Sequence, residues 1–166
     1  EIHVICLFPS LQDALSFDAL IGSKLMPFPN REDIFGKQQI MNEKDEVTGT
    51  VENLLINAVS VSFDDVFSLV SEYHGIAYPA HVDKTSTSLI SNLGFVPPGS
   101  TFSCAEFHDF ANLHRIRREH PYFQDCNVIC CSDAHYLWDI REPEYQLYPH
   151  SREIPDILEA LNRRRR

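Results

Sequence analysis

Asp133 and His135 close the segment Cys130-Cys131-Ser132-Asp133-Ala134-His135, which continues the apolar run Asn127-Val128-Ile129. In extended backbone, residues two apart point to the same side. The spacing therefore aims a carboxylate and an imidazole at one point. Two readings fit it. One is a pair of metal ligands or an acid/base pair at a strand end. The other is a strand-to-loop turn in which Asp133 caps a backbone N–H and His135 is only exposed. The pattern recurs at His81/Asp83 and at Glu106/His108, while His3 lies at the start of the first apolar run rather than at its end. Neutral imidazole and carboxylate are the ligand set of Zn, Mn or Fe. Two or three such ions together bind phosphate, lower the pKa of a bridging water and stabilise a leaving oxygen. His74, His114, His120 and His150 fall at a helix end, in a basic helix and in a proline-containing loop, and are read as structural or solvated.

The elements that must position these groups alternate. Residues 2–8 are apolar and β-branched up to Pro9, as expected of a buried strand in a parallel sheet covered on both faces. Ser10 with Asp13 predicts a helix start, and the helix is expected from Leu11 to Met26 with Leu15, Ala19 and Leu20 toward the core. Residues 38–57 flank the polar turn Asn42-Glu43-Lys44-Asp45-Glu46 and predict an exposed β-hairpin inserted on a larger scaffold. Ser62 is a helix N-cap with Asp64 and Asp65 in the first turn, and Gly75 is the expected stop. A strand from Ile76, a short helix within 85–92, a strand over 101–107, a basic helix over 113–119, a strand over 127–132 and a last helix over 155–161 follow. Such an order implies βα units, a largely parallel sheet or barrel, and one domain over 1–166. In such folds the C-terminal strand ends form the active-site face.

Composition narrows the class. Hydrophobic residues make up 43% and charged residues 23% of the 166, ordinary for a globular domain with a real core. The net charge of −10 gives no general electrostatic help in binding nucleic acid, so a phosphate-bearing substrate needs local positive charge, which bound metal supplies. Arg115, Arg117, Arg118 and the tail Arg163 to Arg166 carry a weaker alternative of nucleic-acid binding, set against a solvated, frayed helix end. No apolar run approaches the ~20 residues of a membrane span, and no signal-peptide pattern is read. Five cysteines without regular spacing fit a reducing, cytoplasmic setting. The Cys126/Cys130/Cys131 group is open to metal binding, but buried strand thiols are the preferred reading.

Ala80-His81-Val82-Asp83-Lys84 and Ser132-Asp133-Ala134-His135 resemble the later motifs of the PHP (polymerase and histidinol phosphatase) superfamily, and Glu1-Ile2-His3-Val4-Ile5 resembles the strand carrying its mid-chain histidine. The hairpin run Phe35-Gly36-Lys37-Gln38-Gln39-Ile40-Met41-Asn42-Glu43-Lys44-Asp45-Glu46 and the stretch Asn92-Leu93-Gly94-Phe95-Val96-Pro97-Pro98 are similar to a bacterial subgroup of stand-alone PHP-domain proteins. The resemblance implies a distorted (βα)7 TIM-like barrel with a metal cluster at the C-terminal rim of its strands. It implies hydrolysis of a phosphomonoester, or of a nucleotide or oligonucleotide phosphodiester, by metal-activated water with two or three divalent ions. Carried over by position, His3, His81, Asp133 and His135 match metal ligands. Lys84 stands where many members have an arginine near the substrate phosphate, and Glu106 and His108 join it on the substrate side. Val82 and Lys84 depart from the usual A-H-P-x-R form, which bears on substrate preference. The family's H-x-H, T-D-H and G-[IV]-E motifs do not occur in this chain. They are expected before Glu1, so the chain is read as the C-terminal two-thirds of such a domain, binding metal weakly by itself. The alternative is a non-catalytic PHP module with a structural metal or a protein-interaction role.

Overall fold

The computed structural model describes residues 1–143 and 145–164. Two compact units emerge, one built from Glu1–Phe17 and Ser62–Arg166, the other from Asp18–Val61. The first holds strands β1 (Val4–Leu7), β4 (Ile76–Pro79), β5 (Cys104–Phe107) and β6 (Asn127–Cys130), with helices α3 (Phe63–Glu72), α4 (Leu89–Leu93), α5 (Leu113–Glu119) and α6 (Ile154–Asn162). Helix α1 (Leu11–Lys24) begins in it and continues into the second unit, which also carries α2 (Glu32–Phe35) and strands β2 (Gln39–Met41) and β3 (Val47–Thr50). No helix among the described residues is long and apolar enough to cross a membrane.

The architecture is mixed α/β, but the expected largely parallel sheet is corrected. Among the described residues the strands form three two-stranded sheets and no barrel closes. Only β5 and β6 are parallel, in the register Cys104↔Asn127 to Phe107↔Cys130. β1 and β4 are antiparallel, pairing Val4 with Pro79 and Leu7 with Ile76. The connections differ. One helical pass, α5, joins β5 to β6 and returns the chain to the end from which β5 started, so the next strand runs parallel. Between β1 and β4 lie two helices of some length, α1 and α3.

β5 is buried along its whole length, and alternation divides its side chains between two layers. Ala105 and Phe107 join Val82, Leu89, Phe102, Leu113, Ile116 and Phe123 in one core cluster. Cys104, on the other face with Glu106, packs with Tyr78 and Leu161. Phe107 and Phe123 are fully buried, each burial contributing about 1.5–3 kcal/mol. α5 presents Leu113 and Ile116 to this core, one helical turn apart. Its Arg117 turns inward, donating from Nε to the Phe123 carbonyl at 3.0 Å and from Nη2 to the Cys126 carbonyl at 3.3 Å. Arg115 pairs with Glu119 at 2.9 Å. In the tail, Arg163 pairs with Glu159 at 2.6 Å and Arg164 stacks over the Tyr122 ring, while Arg165 and Arg166 lie outside the described residues.

Local chemistry sets the helix ends. The Ser62 hydroxyl accepts from the Asp65 N–H at 3.1 Å and starts α3. Ser88 and Ser91 form a reciprocal capping box on α4, and Gly94, at φ 76, ends it in the left-handed conformation that favours glycine. Gly75 has a different reason from the one expected. The left-handed residue after α3 is His74, at φ 60. Gly75 is needed because a Cβ there would stand 2.7 Å from the Leu7 carbonyl oxygen and the Phe8 ring. In α1 the inward residue is Phe17; Leu15 and Ala19, expected toward the core, are exposed, because Phe17 is what meets Phe8 and Tyr73.

In the second unit β2 and β3 form an antiparallel hairpin whose register shifts between Ile40 and Met41. Asn42 Oδ1 organises the turn, accepting from the N–H groups of Lys44 at 2.9 Å and Glu46 at 3.0 Å. The Gln38 amide ties the strand base, donating to the carbonyls of Val51 and Asn53 and accepting from the Leu55 N–H.

Candidate metal and phosphate site

The antiparallel β1–β4 pair solves the placement of His3. A histidine at the start of a strand parallel to its neighbours sits at the wrong end of the sheet. Reversal brings the start of β1 against the end of β4. The Ala80 N–H donates to the His3 carbonyl at 3.0 Å, and the His3 N–H donates to the Thr87 carbonyl at 2.9 Å. The two imidazoles then meet, with His3 Nδ1 3.2 Å from His81 Nε2. His81 is 2% exposed, and its Nε2 also lies 3.9 Å from Asp133 Oδ2. Lys84 closes the group, its ammonium in direct contact with the same Oδ2. On the outer side the Glu1 carboxylate holds His3 Nε2 at 3.1 Å.

His81 and Asp133 share a backbone feature. Both are non-glycine residues at positive φ, 30° and 49° respectively. Such conformations are uncommon outside glycine and cluster at functional sites. They also undo the extended-chain argument for the i, i+2 pairs. At His81/Asp83 and Asp133/His135 the backbone has already left the strand, so the two members of each pair face different ways. Asp83 turns to the loop after β5, where its carboxylate accepts from the His108 N–H at 2.6 Å, the Asp109 N–H at 2.8 Å and Asn112 Nδ2 at 3.0 Å. His135 is exposed, and its Nδ1 meets its own loop at the Asp133 carbonyl, 2.8 Å away. Thus His3, His81, Lys84 and Asp133 come together and the His135 ring is bonded within its own loop.

Glu106 is also near. It is buried at 6% exposure, on the strand to which the Val82 N–H bonds at 2.8 Å. Burial pushes its carboxyl above the ordinary glutamate range, against the His81 N–H and the Cys131 thiol, which favour the anion; the Asp133 and Asp83 charges add to the rise. Burial also lowers the His81 pKa, partly offset by the Asp133 charge. For Asp133 burial works upward, but the Lys84 hydrogen bond and charge outweigh it and hold the carboxyl below its usual value. His108 leaves this group. Arg141, a residue the motif reading did not single out, donates to the His108 carbonyl at 2.5 Å and to its ring Nε2 at 2.8 Å. Nothing in local spacing marks that contact, which spans 33 positions.

Imidazole and carboxylate are metal-ligand types, and one pair of them has ligand-like spacing. Two ligand atoms on a metal with bonds of about 2.0–2.1 Å stand roughly 3.0–3.4 Å apart, and the His3 and His81 nitrogens are 3.2 Å apart. A neutral imidazole and an ionised carboxylate are the required protonation states. The buried Nδ1 of His81 has no hydrogen-bond partner among the described residues. Its other nitrogen, Nε2, faces His3 and Asp133. No group of three or more His, Cys, Asp or Glu side chains among the described residues is arranged to hold a metal ion. The cysteines remain free thiols, Cys104 and Cys126 buried and Cys131 exposed. A cavity of about 1100 Å³ in the same unit, between β6, Leu147 and the end of α6, is lined by none of His3, His81, Lys84, Glu106 or Asp133. No protein-family model, curated protein or solved structure matches the chain.

Proposed function

We propose that this chain supplies one wall of a metal-dependent phosphoesterase of the PHP type, part of a distorted (βα)7 barrel, acting on a phosphomonoester or a nucleotide phosphodiester. The observation that carries the reading is the meeting of His3, His81 and Asp133 from three distant parts of the chain, with His81 buried. His3 and His81 would offer ring nitrogens to the metal in place of the hydrogen bond they now share, and Asp133 its carboxylate. His135 is assigned as a further ligand by its motif position and turns its ring from the Asp133 carbonyl to serve. Two or three bound Zn, Mn or Fe ions supply Lewis acidity and lower the pKa of water. Lys84 contributes positive charge where an acidic protein otherwise repels phosphate. Burial, which pushes the Glu106 carboxyl above the ordinary glutamate range, weakens its charge on the substrate side. His108, held by Arg141, lies further out on the substrate side. A cytoplasmic setting suits the free thiols.

The deciding experiment measures metal content and phosphatase activity of the full-length protein beside Asp133→Ala. Both are expected to fall, activity by at least 100-fold, given the 10- to 100-fold cost of disturbing even outer-shell partners. Unchanged metal content together with unchanged hydrolysis overturns the assignment. Metal retained without hydrolysis in the parent protein selects the second reading, a non-catalytic module, which the occupation of Asp133 by Lys84 favours.

A further inference from the structure

Asp133 Oδ2 is asked to serve two partners. It faces His81 Nε2 at 3.9 Å and takes the Lys84 ammonium in direct contact. Lys84 is therefore bonded to the oxygen nearest the paired imidazoles. The lysine is 32% and the aspartate 26% exposed, so the pair is neither dry nor fully screened. His81, at 2% exposure, cannot supply the missing charge without burying it. The Lys84 backbone N–H bonds to the His81 carbonyl at 3.0 Å, and its own carbonyl accepts from the Ser88 hydroxyl at 2.7 Å. That anchoring fixes the base of the side chain while its four-carbon stem stays adjustable.

From this geometry we infer that Lys84 is a placeholder cation, holding Asp133 Oδ2 until a divalent metal displaces its ammonium. The inference rests on the metal-ligand reading of Asp133. Ammonium and metal compete for one oxygen, and no proton or covalent bond changes hands. The site's metal affinity is then the difference between two cation–carboxylate contacts. Lys84 also discriminates among ions: a monovalent cation offers no more charge than the ammonium, whereas a divalent ion that also engages His3 and His81 does. An ordinary stabilising ion pair behaves in the opposite way, since its loss loosens the loop and weakens whatever binds there.

The test is calorimetric titration of Mn²⁺ into the metal-stripped full chain and into Lys84→Met, Lys84→Gln, Lys84→Arg and Asp133→Ala. Removing the ammonium is expected to tighten Mn²⁺ binding by up to about 5-fold, the scale of one partly exposed charge contact converted to affinity. Two uncharged replacements guard against one failing to fold. Lys84→Arg keeps the charge and stays within about twofold of the parent, while Asp133→Ala weakens binding. Equal or weaker binding in both uncharged variants, with Asp133→Ala still weakened, overturns the placeholder role and leaves the ligand reading standing. Mn²⁺ binding that Asp133→Ala does not change overturns both.

Discussion

Alanine in place of glycine is expected to have opposite signs at two positions of this chain. At Gly75 a Cβ meets the Leu7 carbonyl oxygen and two atoms of the Phe8 ring, each at 2.7 Å. Real Cβ contacts are not that close, so something must shift. The ring can swing, but the carbonyl belongs to β1, whose Leu7 pairs with Ile76. Overpacking of this kind costs about 1–3 kcal/mol. Gly75 is not at positive φ, so alanine recovers about 0.4–1 kcal/mol by restricting the unfolded chain. The net expectation for Gly75→Ala is a loss of up to about 2.6 kcal/mol, centred near 1.3 kcal/mol. Gly22 sits in α1 with nothing within 4 Å of an added Cβ. There Gly22→Ala gains about 0.5–1 kcal/mol from helix propensity and entropy. Urea titrations followed by circular dichroism check both, with the midpoint moving down for Gly75→Ala and up for Gly22→Ala at unchanged slope. A Gly75→Ala variant at least as stable as the parent would refute the close-approach argument. A change of slope in place of the midpoint would do so too, by locating the effect in the unfolded chain.

Asp83→Ala removes the acceptor for two backbone N–H groups and the Asn112 amide. It is expected to cost about 2–4 kcal/mol, given about 1.5–3 kcal/mol for a hydrogen bond to a charged group and partial rescue by water; a urea midpoint within 0.5 kcal/mol of the parent contradicts the loop-anchor role. Glu106→Gln tests the buried carboxyl. Because its folded pKa lies above the unfolded value, the native state holds the extra proton, and stability is lost as pH rises from about 4 through the folded pKa. Glutamine cannot ionise, so in chelator the variant's stability relative to the parent rises with pH across that window and then levels off; parallel pH profiles refute the raised pKa.

Local physics was legible in the sequence where it acts alone. The basic helix expected over 113–119 has those bounds in α5, and the Ser62 hydroxyl starts α3 as a side-chain cap. Strand direction was not legible. Residues 4–7 look the same in a parallel or an antiparallel pair, and their antiparallel partner Ile76–Pro79 lies roughly 70 residues away. The i, i+2 argument failed at His81 and Asp133 because it assumes extended backbone, and these residues sit at positive φ. The Arg141–His108 contact and the Asp83 anchor depend on loops whose path no periodicity encodes. The convergence of His3 with His81 needed the strand reversal that the sequence does not display.

The β1–β4 pair also sets an order of events during synthesis. Leu7 and Ile76 are separated by roughly 70 residues of chain, and ribosomes add about 5–20 residues per second. The Val4–Leu7 segment is therefore made some 4–14 seconds before its partner, with its backbone unpaired for that interval. Hairpin β2–β3, whose strands lie close together in the chain, closes in microseconds once made. Translation speed across residues 8–75 thus sets how long β1 is open to chaperones or to the wrong strand, before His3 has anything to face.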